Sequence, residues 1–305
     1  MILGAYVLIG AWAVFAALLA WYVTTVASEV TYVTLADGRR QERAIPLIFR
    51  LLLPFVSNLD KVLLKPSFEK RIAKKEEMLV AAGFEGLLSG KEFVALELIS
   101  PVVLGAVWVL MIFLLGVILP DSVFTSGRGF LCVMGILIFV IQPSMWLSGE
   151  LKKRHLAILK ALPFVLDILT LSVEAGMDFI SALQRNCAER KMDALNEELL
   201  RMTKEIQVGL SRKEALRNMA ERVKQGDLRA VAMALIQADE LGVSIGSILR
   251  IQSEQMRSRR FDRAEKLANE APTKMLGPLM LCIFPAVFII LLGPVLMNAM
   301  KGFMQ

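Results

Sequence analysis

The sequence predicts an all-α polytopic membrane protein with four transmembrane helices and a cytoplasmic six-helix bundle built of three helical hairpins. Three observations predict this class. Hydrophobic residues make up 56% of the 305 and mean hydropathy is +0.58, with the apolar residues gathered into blocks as membrane proteins have them. Met1 to Ser28, Leu98 to Pro120, Gly129 to Gly149 and Met275 to Met300 carry no charged residue. Between the last two of these stretches, Gly176, Gly209 and Gly242 stand 33 residues apart in similar surroundings.

Each uncharged stretch exceeds the ~18 to 20 residues that a helix needs to cross ~30 Å of hydrocarbon. Residues 1–28 therefore read as transmembrane helix 1. "DGRRQERAIPLIFR" follows it and no basic residue precedes it, the reverse of a secretory signal peptide, so it reads as a retained anchor. Residues 29–92 read as a cytoplasmic helical segment, in which "FEKRIAKKEEMLVAAGFEG" forms a charged helix ending at Gly83, lying along the membrane or against the larger domain. Residues 93–149 read as a transmembrane hairpin of helices 2 and 3, with Gln142 and Pro143 in the last turns of the third helix. Residues 150–274 form the cytoplasmic bundle and residues 275–300 transmembrane helix 4.

Lysine and arginine set the orientation, because basic flanks stay in the cytoplasm. Residues 29–92 hold eleven of them and residues 150–274 hold 22, whereas Arg128 alone lies in the 120–129 connection and Lys301 alone follows Met300. Both termini are expected in the periplasm.

The repeat defines the bundle. Asp178, Ser211 and Ser244 each follow a repeat glycine by two positions, and Leu162, Leu195 and Leu228 align upstream, as do Leu169, Met202 and Leu235. Glycine just past a helix end takes the left-handed conformation cheaply, and Asp or Ser two residues on accepts from the free N–H groups of the next helix. Each unit is thus a helical hairpin, with Asp193 and the pair Gly226-Asp227 expected at the turns between hairpins. A solenoid also has such a period, but no polar capping repeat stands out and a closed bundle is preferred. Glu174 and Glu240 precede their glycines in the last helical turn, where the dipole disfavours an anion, so a partner contact explains Glu174 better than capping does. "QMRSRRFDRAEKLANEAPTKML" continues as a long basic helix into the last membrane segment, and Arg257 and Arg260 on it suit lipid or an acidic partner surface.

No residues qualify as catalytic, cofactor-binding or metal-ligating. "GFEGLLSGKEF" fails as a phosphate loop, since Glu85 and Glu92 occupy positions that need Gly and Ser or Thr. His155 is the single histidine and the three cysteines are widely spaced, which excludes a Ser-His-Asp arrangement in a sheltered site, a zinc framework and a disulfide scaffold. The carboxylates of "DALNEELLRMTKEI" alternate with bases at spacings that suit surface ion pairs. A net charge of +6 is explained by juxtamembrane basic residues facing anionic lipid and calls for no nucleic acid. A transporter or channel subunit with a regulatory helical cytoplasmic domain is the alternative class, but only Glu97 brings a charge near a membrane segment, at its cytoplasmic edge.

The stretches "LPFVLDILTLSVEAGMDFISALQR", "GLSRKEALRNMAER", "ADELGVSIGSILRIQSEQMRSRRFDRAEKLA" and "PLMLCIFPAVFIILLGP" together resemble the type II secretion F domain. The version they resemble is that of the TadB/TadC inner-membrane proteins of Tad (Flp) pilus machines, with "KMLGPLMLCIFPAVF" closer to the TadC type. The similarity covers roughly residues 155 to 298. It implies a non-enzymatic platform in the bacterial inner membrane, lying between a cytosolic assembly ATPase and pilin subunits. Larger relatives carry two copies of the domain and this chain one, so the resemblance also implies pairing with a paralogous TadB-type platform protein or with itself. The family's pattern maps onto Glu174, Gly176, Glu240, Gly242 and Ser244 at the turns and onto Arg257 and Arg260 on the basic helix, as a candidate partner interface without cofactors.

Overall fold

The computed structural model describes residues 32–34, 40–42, 45–56, 66–118 and 127–303. The first uncharged stretch, read above as transmembrane helix 1, lies outside them. A short antiparallel pair, β1 (Tyr32–Thr34) with β2 (Arg40–Glu42), precedes nine helices among the described residues. These are α1 (Leu47–Val56), α2 (Pro66–Ala82), α3 (Gly90–Ile118), α4 (Arg128–Glu174), α5 (Phe179–Glu189), α6 (Ala194–Gln207), α7 (Arg212–Val223), α8 (Gly226–Leu241) and α9 (Ile245–Phe303). Three helices are long and apolar enough to cross a membrane, within Gly90–Phe113, Arg128–Glu174 and Ile245–Pro294. The chain divides into two units, one up to Ile248 and one from Leu249 onward.

The first unit holds two separate apolar cores. One is membrane-proximal: Phe49 and Leu52 of α1, Leu79 of α2, Phe84 and Leu88 of the following loop, and Phe93 and Leu96 of α3 gather with Leu147 of α4. Trp146 sits among the rings of Phe49 at 5.1 Å, Phe84 at 5.2 Å and Phe93 at 6.4 Å. Local signals place these elements. Proline opens α2, where its missing N–H costs nothing; Gly83 at φ +82° closes it, as the sequence predicts. Ser89 and Glu92 cap α3 reciprocally, through Ser89 N–H to Glu92 at 2.8 Å and Glu92 N–H to Ser89 Oγ at 3.2 Å.

α3 and α4 form an antiparallel hairpin with a close seam. The Trp108 indole donates to the Leu131 carbonyl at 3.1 Å, satisfying in place a polar group that hydrocarbon would leave unpaired. Gly135 makes room for that ring: a Cβ added there would lie 2.0 Å from Trp108 Nε1. Small residues at a membrane seam allow this approach. The hairpin's other faces carry exposed Val102, Phe113, Phe130 and Ile138, as lipid-facing surfaces do. α4 passes Pro143 and Pro163 without a break and reaches Glu174, so the segments predicted as the third membrane helix and the first bundle helix are one 47-residue helix.

The second core is the bundle. Leu162, Leu195 and Leu228, aligned by the repeat, are all buried, and so are Leu169, Met202 and Leu235. Phe179 and Leu183 of α5, Leu216 and Met219 of α7 and Val231 of α8 are buried as well, and each large side chain removed from water there contributes about 1.5–3 kcal/mol. Five predicted bundle segments, the second half of α4 with α5 to α8, lie in the first unit, and α9, the sixth, begins at Ile245. Buried Asn196 ties the α5–α6 turn, donating to Cys187 O at 3.2 Å and to Arg190 O at 3.4 Å, while burial pushes the Cys187 thiol up to about 11.

One predicted turn is built differently. Gly226 is already the first residue of α8; the reversal is made by Lys224, left-handed at φ 54°, and by Gln225, whose side chain caps α8 at the Leu228 N–H. Lys224 instead reaches Glu77 of α2, and Arg201 of α6 forms a two-stranded contact with Glu85 in the loop after α2. These polar pairs, outside both cores, rest the bundle on the segment that precedes α3.

The second unit is α9 from Leu249 onward. Its charged stretch leads to Lys274, paired with Glu270 at 2.9 Å, and then to an apolar stretch in which Phe284 and Phe288 lie 5.3 Å apart.

Candidate functional site

The repeat glycines build three turns of one design. Gly176, Gly209 and Gly242 take φ of +93°, +110° and +67°. The N–H of the residue after each glycine returns to the carbonyl five residues back: Met177 to Ser172 at 3.1 Å, Leu210 to Glu205 at 3.0 Å and Val243 to Ala238 at 3.0 Å. Capping follows as expected at two of the turns. Asp178 accepts from the Ile180 N–H at 2.9 Å and Ser211 forms a reciprocal box with Glu214. At the third, Ser244 stands just before α9 and its carbonyl accepts from Ser247 Oγ at 2.7 Å.

All three turns lie at one end of the bundle. Arg212, at the start of α7, lies 4.0 Å from Asp178 of the first turn and 3.3 Å from Asp239 beside the third, and sits over the Phe179 ring at 5.5 Å. Its neighbour Lys213 pairs with Glu240, and this hydrogen bond holds the Glu240 carboxyl below the usual carboxylate range. Glu214 is held low by its hydrogen bonds to Ser211. Val173 and the Glu174 side chain flank Gly246 at the start of α9, 3.4 and 3.8 Å from where its Cβ would stand.

Glu174, Gly176, Glu240, Gly242 and Ser244 are thus brought together at this end. Arg257 and Arg260 are exposed on α9 in the second unit. Gly176 has open space around it, so Gly176→Ala is expected to cost on the order of 1 kcal/mol through backbone strain alone, and Asp178→Ala about 1 kcal/mol through the lost cap. Glu174→Gln should leave stability equal or slightly higher, since it removes an anion from a helix C-terminus. Thermal melts of the three variants check the contrast, and a Glu174→Gln protein melting as low as Gly176→Ala would make Glu174 a structural residue.

Two polar clusters stand where the sequence suggests surface charge. In the first, Arg154 of α4 pairs with Glu197 at 2.8 Å and Glu198 at 2.7 Å, and Arg222 of α7 pairs with Glu198 at 3.0 Å and Glu205 at 2.7 Å. The side chains of Arg154 and Glu198 are only 5% and 6% exposed. The carboxylates read as surface ion pairs are therefore a largely buried network. Its signal was position: Glu198 falls within the apolar stripe of Leu195, Leu199 and Met202. The network continues outward through Arg201 to Glu85, whose carboxyl Arg201's hydrogen bond holds below the usual range. The second cluster surrounds Glu97 in α3, which accepts from Ser144 Oγ of α4 at 2.7 Å and from Lys75 of α2 at 3.3 Å. His155, read as solvated, bonds through Nε2 to the Val223 carbonyl at 2.8 Å, at the C-terminal end of α7.

Residues 165–293 match the family model described as Type II secretion system (T2SS), protein F. The matched span begins in the second half of α4, includes the three glycine turns, and ends in the last apolar stretch. No curated protein and no solved structure matches the chain. The family match supports the resemblance at the level of the type II secretion F domain, and three helices among the described residues have membrane-spanning length and hydropathy.

Proposed function

We propose that the chain is an inner-membrane platform component of a Tad/Flp (type IV-like) pilus assembly or type II secretion-like machine, coupling a cytosolic assembly ATPase to pilin insertion or extraction without catalysing a reaction itself. The observation that carries this reading is the secretion-family match across the helical bundle and into the last apolar segment. The bundle is the part that faces cytosolic partners, its glycine-turn end supplies the interface through Glu174, Gly176, Glu240, Gly242 and Ser244, and Arg257 and Arg260 contribute from α9. A paralogous TadB-type protein, or a second copy of this chain, completes the platform, with the main domain cytoplasmic and both termini periplasmic.

Glu97 is the observation that would favour a transporter, because an ionisable residue within a membrane segment marks a conduction path by default. Its engagement with Lys75 and Ser144 favours a fastening of α2 to the hairpin instead. Detergent-solubilised membrane complexes are expected to yield the assembly ATPase and a paralogous platform protein with this chain, and the purified chain alone to hydrolyse no ATP. ATP turnover by the isolated chain, or ion flux in sealed liposomes with no co-purifying machine components, would overturn the reading.

A further inference from the structure

Leu249, Ser253 and Met256 are buried near the start of α9, and burial ends there: from Arg257 to Lys274 every residue except Glu270 is exposed. A helical stretch with no packed face is marginal in water, because most helical stability in proteins comes from covering an apolar stripe. This stretch has such a stripe. Phe261, Ala264, Ala268, Ala271 and Met275 follow one another at alternating steps of three and four, the spacing of a coiled-coil seam. Phe261 and Met275 are 75% and 70% exposed. In an unbroken helix Phe261 lies about 21 Å before Met275, where the uncharged stretch begins, so hydrocarbon that takes in that stretch leaves most of the seam uncovered.

The edges of the seam say what covers it. Of the nine charged residues from Arg257 to Lys274, Arg257 precedes the seam, five lie on the outer faces of the helix, and Arg260, Glu265 and Lys274 flank the seam. Lys274 is paired within its own helix, with Glu270 at 2.9 Å. Arg260 and Glu265 have no ion-pair partner among the described residues. They stand five positions apart on opposite edges, Arg260 on the same edge as Lys274. When two parallel helices share a seam, a residue on one edge meets the residue five positions later on the facing helix. Arg260 of each copy then meets Glu265 of the other, twice by two-fold symmetry, whereas an antiparallel pair would set the Arg260 and Lys274 edge against itself. Two copies inserted in one bilayer with the same orientation also run α9 in the same sense, so the arrangement that the charges favour is the one a second copy offers. We propose that α9 is a self-association element, joining two copies in parallel along Phe261, Ala264, Ala268, Ala271 and Met275 with Arg260 of each paired to Glu265 of the other. Three alanines let the backbones approach closely but bury little area, so the pair is weak, and confinement to one bilayer raises its effective concentration. The proposal deepens the platform reading by naming the second copy and its surface, and it rests on that reading for the common orientation of the copies.

The test uses the full-length chain in bacterial membranes, with Cys132, Cys187 and Cys282 replaced by alanine and single cysteines introduced. Under brief oxidation with copper phenanthroline, Ala264→Cys, Ala268→Cys and Ala271→Cys are each expected to join the same position of a second copy. These reactions should run about tenfold or more faster than that of Lys266→Cys, on the opposite face of the helix, because facing seam positions approach the ~4.4–6.8 Å between Cα atoms that a disulfide spans. Arg260→Glu or Glu265→Arg alone should lower the crosslinked fraction of Ala268→Cys several-fold, and the two together should restore it. All these positions are exposed, and melting temperatures of the variants check that the bundle is intact. Equal crosslinking at Lys266 and at the seam, crosslinking of Ala264→Cys only to Ala271→Cys in mixed membranes, no crosslinking at any seam position, or no rescue by the double reversal overturns the proposal. So does crosslinking of the seam to a different protein in place of a second copy. A seam that fails to crosslink while the assembly ATPase and a paralogous platform protein still co-purify spares the platform reading; a crosslinked pair with no co-purifying machine does the reverse.

Discussion

Glu198→Ala is expected to melt the helical bundle while the membrane hairpin keeps its helix. Glu198 is the shared acceptor of two guanidinium groups, Arg154 and Arg222, in a site from which water is largely removed. Deleting it leaves Arg154 with Glu197 alone and Arg222 with Glu205 alone, and removing one partner of a buried pair costs up to roughly 3–5 kcal/mol. A single domain holds only about 5–15 kcal/mol in total, so the variant should sit close to unfolding at ambient temperature. Arg154→Met together with Glu198→Leu should recover part of the loss, because apolar replacement removes the desolvation penalty along with the charge. Hydrogen exchange resolved along the chain in detergent reads the outcome: protection should fall over α6 and α7 and persist in α3. Wild-type protection in Glu198→Ala would mean that the network contributes nothing to the bundle.

Gly135→Leu should disable the hairpin. Even its first added carbon would stand 2.0 Å from the Trp108 ring nitrogen, so the helices must separate or the indole must leave. Overpacking of this kind costs about 1–3 kcal/mol, and displacing the indole also strands its N–H in hydrocarbon, at a further ~2 kcal/mol or more. Detergent extraction should give aggregated protein with altered tryptophan fluorescence. Gly149→Leu, at a position with nothing within 4 Å, should remain monodisperse, and Trp108→Leu should partly rescue Gly135→Ala. A well-behaved Gly135→Leu protein with unchanged fluorescence would remove the steric argument.

The legible parts of the fold are those written in local chemistry. Gly176, Gly209 and Gly242 announce their turns because only glycine takes positive φ without strain, and Asp178, Ser211 and Asp193 announce their caps because short oxygen-bearing side chains reach the next N–H groups. The leucines aligned by the repeat are buried because repetition carries packing as well as turns. What the sequence hides is set by contacts between distant segments. Lys224 forms the turn expected of Gly226 because an N-cap glutamine and a left-handed lysine, each unremarkable alone, combine there. Glu198 reads as one more surface acid until Arg154 and Arg222 meet it from other helices. Pro143 suggests a helix end, yet the buried ring is held in a helix whose neighbours Trp146 and Leu147 are anchored in the membrane-proximal core. At the candidate site the turn residues were legible, whereas the role of Arg212, which joins the turns, depends on how the hairpins are arrayed.

α4 has a mechanical consequence. Trp146 and Leu147 fix it at the membrane-proximal core, and its two arms extend from there to Arg128 and to Glu174. At 1.5 Å per residue the inner arm is about 27 Å and the outer arm about 42 Å. Such a helix is a lever with its fulcrum at the tryptophan, and a push of about 3 Å at the glycine-turn end would swing the opposite end of the hairpin by about 2 Å the other way. Displacement applied at one end of α4 can thus reach the other through a single continuous element.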